Sequence, residues 1–384
     1  MAAPHVLLIA KDYPPSIGGA EMYNANMVRG LLEAGHTVTV ATWTPSDSEL
    51  PTTSGERLTV VRLSDVRLRG PRPASRIPPL LAEHRPDVAW VSPSSRHLTD
   101  VHDVLVGASI PTIATCHFFR SKHARRGWIG RRKARNRLHL DRVDAVVTVS
   151  AFLESQLQRI GVPKERLSVV SPGVDTQRFS PDRERRTAIR STLGFPDAPV
   201  LLTVARLVEG KGHERVLATL GALHARGCHA HYLIVGDGPD RPKIEHRVQE
   251  LRLADSVRFV GQVDDPRPYY DAADVVVMPS GNEEWNEAFG MSFVEAGAME
   301  RPVVASRDSG AEDIVLEGQT GHLVDPEDQD ALSTSVLNCL EAQSAYGRAA
   351  RSHVEERFTW TRSAEQLSLL FHDLSSRREP SRDG

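Results

Sequence analysis

Two parallel α/β halves are what this chain of 384 residues predicts, on three observations. Short apolar runs alternate with stretches of helical apolar spacing, the pattern of repeated strand–helix–strand units. A charged stretch, Asp182 to Arg190, interrupts the alternation near the middle. The alternation then restarts, and the length exceeds one ordinary core, which points to two domains of about 180 residues each.

The runs of the first half are HVLLIA (5–10), TVTVATW (37–43), TVVRL (59–63), VAWVS (88–92), TIATCH (112–117) and AVVTVS (145–150). Between the first two, Met22 to Leu32 carries Met27, Val28, Leu31 and Leu32 at helical spacing. The second half restarts with VLLTVA (200–205), YLIVGDG (232–238), VRFVGQ (257–262), VVVMPS (275–280) and PVVAS (302–306). The expected division is 1–182 and 183–360, two Rossmann-like domains facing across a cleft. A last helix over 361–374 and a disordered polar tail over 375–384 follow.

Composition narrows the class. Apolar residues make up 40% and aromatics 5%, as in a soluble globular protein. Cys116, Cys228 and Cys339 are odd in number and far apart, which excludes a disulfide framework or a zinc spacing and suits a reducing cytosol. HVLLIA is too short for a signal peptide core or a membrane span, so a cytoplasmic protein is expected, at most peripheral on a membrane. Charge is uneven. Residues 1–185 carry 26 Lys and Arg against 18 Asp and Glu, whereas the remainder carries 21 against 32. Ten basic residues lie between Arg120 and Arg142, with Trp128 and Ile129 among them and Asp141 the one acid. Beside a Trp, such residues can hold a protein on anionic lipid at about 1 kcal/mol each; a solvated basic helix is the plainer reading. No base-reading motif accompanies the charge, so nucleic acid is not an expected partner.

Glu287 to Glu295, EAFGMSFVE, is the most informative segment. If it is helical from about Phe289, its two acids are roughly 12 Å apart and nearly on one face. That is about the distance from sugar to ribose in a nucleotide-diphosphate sugar. Phe289, Gly290 and Met291 would then offer backbone N–H groups at a helix start, where a diphosphate binds well. Upstream, Arg206 ends the run VLLTVA and Lys211-Gly212 follows in a glycine-containing loop. Ligands of open parallel sheets bind beyond the carboxyl ends of strands, and two cations there can neutralise a leaving diphosphate. Singly, each of these would read as a surface charge or a cap; four at comparable loop positions of one half point to a site. In the first half Gly18-Gly19 lies between strand and helix, where the backbone can approach a ligand, and His117 and Asp12 follow strands. The G-x-G-x-x-G fingerprint is absent, and Asp264-Asp265 is adjacent rather than spaced as a metal pair.

Taken together, DYPPSIGGAE (12–21), ATCH (114–117), VSPGVDTQRFSP (170–181), ARLVEGKG (205–212), VGDGP (235–239) and EAFGMSFVE (287–295) resemble the retaining nucleotide-sugar glycosyltransferases of family four. The likeness runs from Val6 to about Leu370, and the first loop is similar to that of phosphatidylinositol mannosyltransferases. The resemblance implies the GT-B architecture and transfer of a hexosyl group, with retention, from a GDP- or UDP-sugar to an acceptor hydroxyl. It implies Arg206, Lys211, Glu287 and His117 as catalytic residues. Donor contacts fall to Gly18, Gly19, Gly236, Phe289, Gly290, Met291 and Glu295, and acceptor contact to Asp12. No metal or other cofactor is expected, since two cations already do a metal's work. The expected acceptor is a glycolipid such as a phosphatidylinositol mannoside at the inner membrane face, with a soluble natural-product or polysaccharide acceptor as the alternative. An epimerase of the same architecture or a noncatalytic sugar-nucleotide binder remain as rivals. The chain departs from the family in Gly281 to Asn286, where Glu283 and Glu284 add negative charge, and in SPGVD, where the third residue before Asp is Pro.

Overall fold

A computed structural model describes residues 3–15, 19–43, 53–63, 73–93, 98–118, 140–195, 197–281 and 286–377. Gly18, most of the basic stretch 120–142, residues 282–285 and the tail beyond Arg377 therefore lie outside the described residues. The chain forms two compact units. One comprises Met1–Gly173 with Trp360–Gly384, the other Val174–Thr359.

The first unit is built on β1 (His5–Ala10), β2 (Thr37–Thr42), β3 (Thr53–Ser54), β4 (Leu58–Arg62), β5 (Val88–Val91), β6 (Thr112–Cys116), β7 (Ala145–Thr148) and β8 (Leu167–Val169). They lie in the order β3-β4-β2-β1-β5-β6-β7-β8. All neighbours are parallel except the two-residue β3, which pairs antiparallel with β4. β1 is central, so Val6, Leu7, Leu8 and Ile9 are buried on both faces and the run has no polar alternation. One face is covered by Met27, Val28 and Leu31 of the Gly19–Glu33 helix, the other by Ile77, Leu80, Val101 and Leu105. The expected strands fall within a residue or two of their places; β3 and β8 were not expected, being too short to leave a pattern.

The second unit is built on β9 (Val200–Val204), β10 (His231–Val235), β11 (Val257–Gly261), β12 (Val275–Met278), β13 (Val303–Ser306) and β14 (Gly321–Val324). Their order is β11-β10-β9-β12-β13-β14, all parallel, with β9 and β12 side by side at the centre. The His213–Ala225 and Gln329–Glu341 helices pack apolar faces on this sheet. The division falls before Val174, earlier than the expected 182. Arg351 explains the shift: its guanidinium donates to the carbonyls of Thr176 and Phe179 at 3.2 Å. Asp182 N–H also donates to Asp271 at 3.0 Å, so 174–182 is bonded into the second unit.

The chain returns to the first unit through the Trp360–Ser376 helix, which runs two residues past the expected 374 into the segment expected to be disordered. Its Leu367 and Phe371 join the first core. Gly30 makes the docking close, since a Cβ there would lie 2.5 Å from Ala364 Cβ. Gly30→Ala is therefore expected to destabilise the first unit by about 1–3 kcal/mol and to raise amide exchange across 360–376. Adding Ala364→Gly should recover most of the loss. An unchanged melting curve for Gly30→Ala would show that the two helices do not meet there.

Candidate active site

In a sheet of this order the connections from β9 and β12 leave toward opposite sides, opening a crevice beyond their carboxyl ends. Side chains lock the two strands together beneath it. Thr203 Oγ1 donates to the Val277 carbonyl at 2.5 Å and accepts from Tyr232 Oη at 2.8 Å. His213 Nδ1 lies 3.1 Å from the same tyrosine oxygen, and burial pushes this imidazole down to about 4, so it is neutral.

The loop after β9 carries both cations. Gly281 N–H donates to Gly210 O at 2.7 Å, tying this loop to the one after β12. Gly210 and Gly212 hold φ of 87° and 83° on either side of Lys211. A Cβ on Gly212 would also lie 2.4 Å from Pro279 O, so glycine is required there. Lys211 Nζ reaches Glu287 Oε2 at 2.5 Å, with side chains 19% and 16% exposed. Arg206 is exposed and forms no ion pair among the described residues. Gly236 packs against the same loop, its missing Cβ leaving room for Ala205 O.

Glu287 is seated by residues that sequence reasoning passed over. Gly310 N–H donates to the Glu287 carbonyl at 2.8 Å, and a Cβ on Gly310 would lie 2.1 Å from Ala288 O. Asn286 Nδ2 donates to Asp308 O at 2.7 Å. A glycine shortly after the carboxyl end of β13 was the available signal. The helix itself spans Met291–Ala298, with Gly290 at φ 99° before it. Glu287 is thus outside the helix, and the two acids do not share a helical face as expected. Gly290 breaks the continuity, and the carboxylates go to different partners. Phe289 is buried and Met291 starts the helix, whose first turn leaves N–H groups without intrahelical acceptors.

Glu295 Oε2 accepts from Tyr270 Oη at 2.7 Å. Burial raises its carboxyl to about 7, an effect opposed by the Tyr270 hydroxyl and the charge of Arg178. Tyr270, also unanticipated, is fully buried, and its Oη lies 3.3 Å from the Ser292 carbonyl.

In the first unit, Asp12 and His117 follow β1 and β6. Asp12 pairs with Lys11 at 2.9 Å. His117 Nε2 lies 3.1 Å from Ser92 Oγ, and burial pushes the ring down to about 4. Gly19 opens the first helix, with nothing within 4 Å of a Cβ placed there. Among the described residues no group of three or more His, Cys, Asp or Glu is arranged to hold a metal ion, and no helix is long and apolar enough to cross a membrane.

A raised carboxyl favours folding while protonated. Its contribution is present below the unfolded value near 4.5 and is lost as pH rises through about 7. Glu295→Gln should therefore gain stability relative to the parent between those values, by on the order of 2 kcal/mol. Urea titrations at pH 4.5, 6 and 8 measure this; a difference independent of pH would place Glu295 in solvent.

Residues 17–178 match the family described as Glycosyltransferase Family 4, and residues 185–355 that described as Glycosyl transferases group 1. The GDP-mannose-dependent alpha-(1-6)-phosphatidylinositol monomannoside mannosyltransferase of Mycolicibacterium smegmatis is 31% identical over 97% of this chain and 99% of that one. The D-inositol 3-phosphate glycosyltransferase of Corynebacterium glutamicum is 32% identical over 61% of this chain and 58% of its own. Among solved structures, the sucrose-phosphate synthase of Thermosynechococcus elongatus superimposes with a TM-score of 0.79 at 25% identity, covering 97% of this chain and all of that one. Anabaena HepE, in complex with UDP and glucose, gives 0.76 at 19% identity over 96% and 99%. With both sheets in the GT-B architecture, the chain belongs to the family 4 glycosyltransferases.

Proposed function

We propose that this glycosyltransferase moves a hexosyl group, with retention, from a GDP- or UDP-sugar to an acceptor hydroxyl, the leading case being mannosyl transfer to a phosphatidylinositol mannoside. The Lys211–Glu287 pair, its lysine on the loop that also carries the exposed Arg206 at the switch point of the second sheet, carries the reading. The named activity of the Mycolicibacterium relative supports donor and acceptor. The surplus of basic residues in the first 185 also suits an anionic lipid surface at the cytoplasmic face. A soluble polyol-phosphate acceptor is the second reading, favoured by the Corynebacterium relative.

In this reading the bond from the anomeric carbon to the diphosphate breaks while the acceptor oxygen bonds to that carbon on the same face. The leaving phosphate takes the acceptor proton. Arg206 and Lys211 stabilise the charge growing on the diphosphate, an interaction stronger in the transition state than before it. The first-turn N–H groups at Gly290 and Met291 assist. Glu287 holds sugar hydroxyls. Glu295 accepts from the ribose hydroxyls, donors that compensate a carboxylate otherwise starved of water. His117 meets the sugar, and Asp12 the acceptor. No carboxylate serves as a covalent nucleophile, and no metal is required.

Labelled transfer tests the reading directly. GDP-mannose with vesicles containing phosphatidylinositol mannoside should give a labelled lipid of retained configuration, in excess chelator as well as without it. Transfer from neither GDP- nor UDP-sugars to any lipid or polyol acceptor would overturn it. Arg206→Ala should lower turnover by about 100-fold or more with little change in melting temperature. Lys211→Ala should lower turnover comparably and also lower the melting temperature, since it leaves Glu287 without its partner.

The acids should separate in calorimetric titrations. Glu295→Ala should weaken binding of the bare nucleoside diphosphate by about tenfold, whereas Glu287→Ala should leave that binding near normal and lower turnover. The opposite pattern would exchange their roles.

A further inference from the structure

We infer that Asn24 and Ser92 act as a relay that fixes the tautomer of His117, giving it a protonated Nε2 and an Nδ1 that accepts a hydrogen bond from a sugar hydroxyl. The part concerning the sugar rests on the transferase reading; the part concerning the proton does not. The three residues come from separate elements at the carboxyl end of the first sheet. Asn24 lies in the Gly19–Glu33 helix, Ser92 follows β5 and His117 follows β6.

The proton positions follow in sequence from one fixed point. The Ser92 carbonyl can only accept, so the Asn24 atom 3.0 Å from it is the donating amide nitrogen. The other amide atom, Oδ1, therefore faces Ser92 Oγ at 2.6 Å, and it too can only accept. Ser92 has a single hydroxyl proton, which that contact consumes. At its 3.1 Å contact with His117 Nε2, Ser92 Oγ is then left as the acceptor, and Nε2 must carry the proton. In a neutral imidazole this leaves Nδ1 with its lone pair, and Nδ1 makes no hydrogen bond among the described residues.

The surroundings make the assignment rigid. Asn24 and Ser92 are fully buried, so water does not compete for their hydrogen bonds. Tyr23 meets the His117 ring edge-on at a centroid distance of 4.6 Å, which limits rotation of the imidazole, and Tyr23 is itself packed edge-on against Trp360 at 6.0 Å. Asn24 and Ser92 are thus positioning residues, acting through His117. A lone pair at this place reads a hydroxyl and rejects a carboxylate or phosphate oxygen, which brings no proton. The relay thereby selects a hydroxylated hexosyl group over an anionic sugar.

Nitrogen NMR of the histidine-labelled protein without substrate tests the proton placement, with His117→Gln identifying its signals among the 16 histidines. A pyridine-type Nδ1 and a pyrrole-type Nε2 are expected. Asn24→Leu frees the Ser92 proton to point at Nε2, so the pattern should reverse; Asn24→Asp, which keeps an acceptor, should restore it. In transfer assays Asn24→Leu should lower kcat by about tenfold, the scale of one hydrogen bond, with nucleoside-diphosphate binding unchanged and Asn24→Asp again restoring. A pyridine-type Nε2 in the parent protein, or no reversal in Asn24→Leu, would overturn the relay. The expected spectra in a protein that transfers no sugar would instead overturn the transferase reading and leave the proton assignment standing.

Discussion

The site depends on one constraint, the parting of β9 and β12 at their carboxyl ends. Parallel neighbours must be joined by crossovers, and at the centre of this sheet the crossovers leave toward opposite faces. The gap this creates would splay if nothing spanned it. Thr203 to Val277 within the strands, and Gly281 to Gly210 just beyond them, are the bonds that span it. With these two loops tied together, Lys211 and Glu287 come into contact.

That meeting has an electrostatic consequence. A lysine and a glutamate with less than a fifth of their side chains exposed compensate each other's desolvation, and neither would be tolerated there alone. Arg206 remains exposed nearby. The loop after β9 thus carries one lysine paired with Glu287 and one exposed arginine. Glu295 presents the complementary problem. Half-buried beside Tyr270, its carboxyl is raised toward neutrality, and hydroxyl donors would return it to the charged form.

The first unit follows the same logic with neutral groups. Its switch point lies between β1 and β5, and Ser92 and His117 follow strands on one side of it. Here burial keeps the imidazole uncharged, and hydrogen bonds rather than ion pairs decide how it is presented. The unit is completed only when the chain returns through Trp360–Ser376, whose Leu367 and Phe371 fill a core begun by residues more than 300 positions earlier.

The sequence by itself determined the two halves and most of their strands. Central parallel strands are buried on both faces, so runs such as HVLLIA and VLLTVA are written as unbroken apolar segments. The glycines around Lys211 and before Met291 were legible for a related reason, since positive φ leaves few other choices. Partner choice was not legible. Spacing suggested that Glu287 and Glu295 share a helical face, but Gly290 starts the helix too late, and their partners lie 76 and 25 residues away. Asn286, Tyr270 and the Asn24–Ser92 pair carry no local pattern, because what each one touches was brought there by strand order. Period and propensity act over a few neighbouring residues, whereas a hydrogen bond between loops exists only once the sheet has placed both ends.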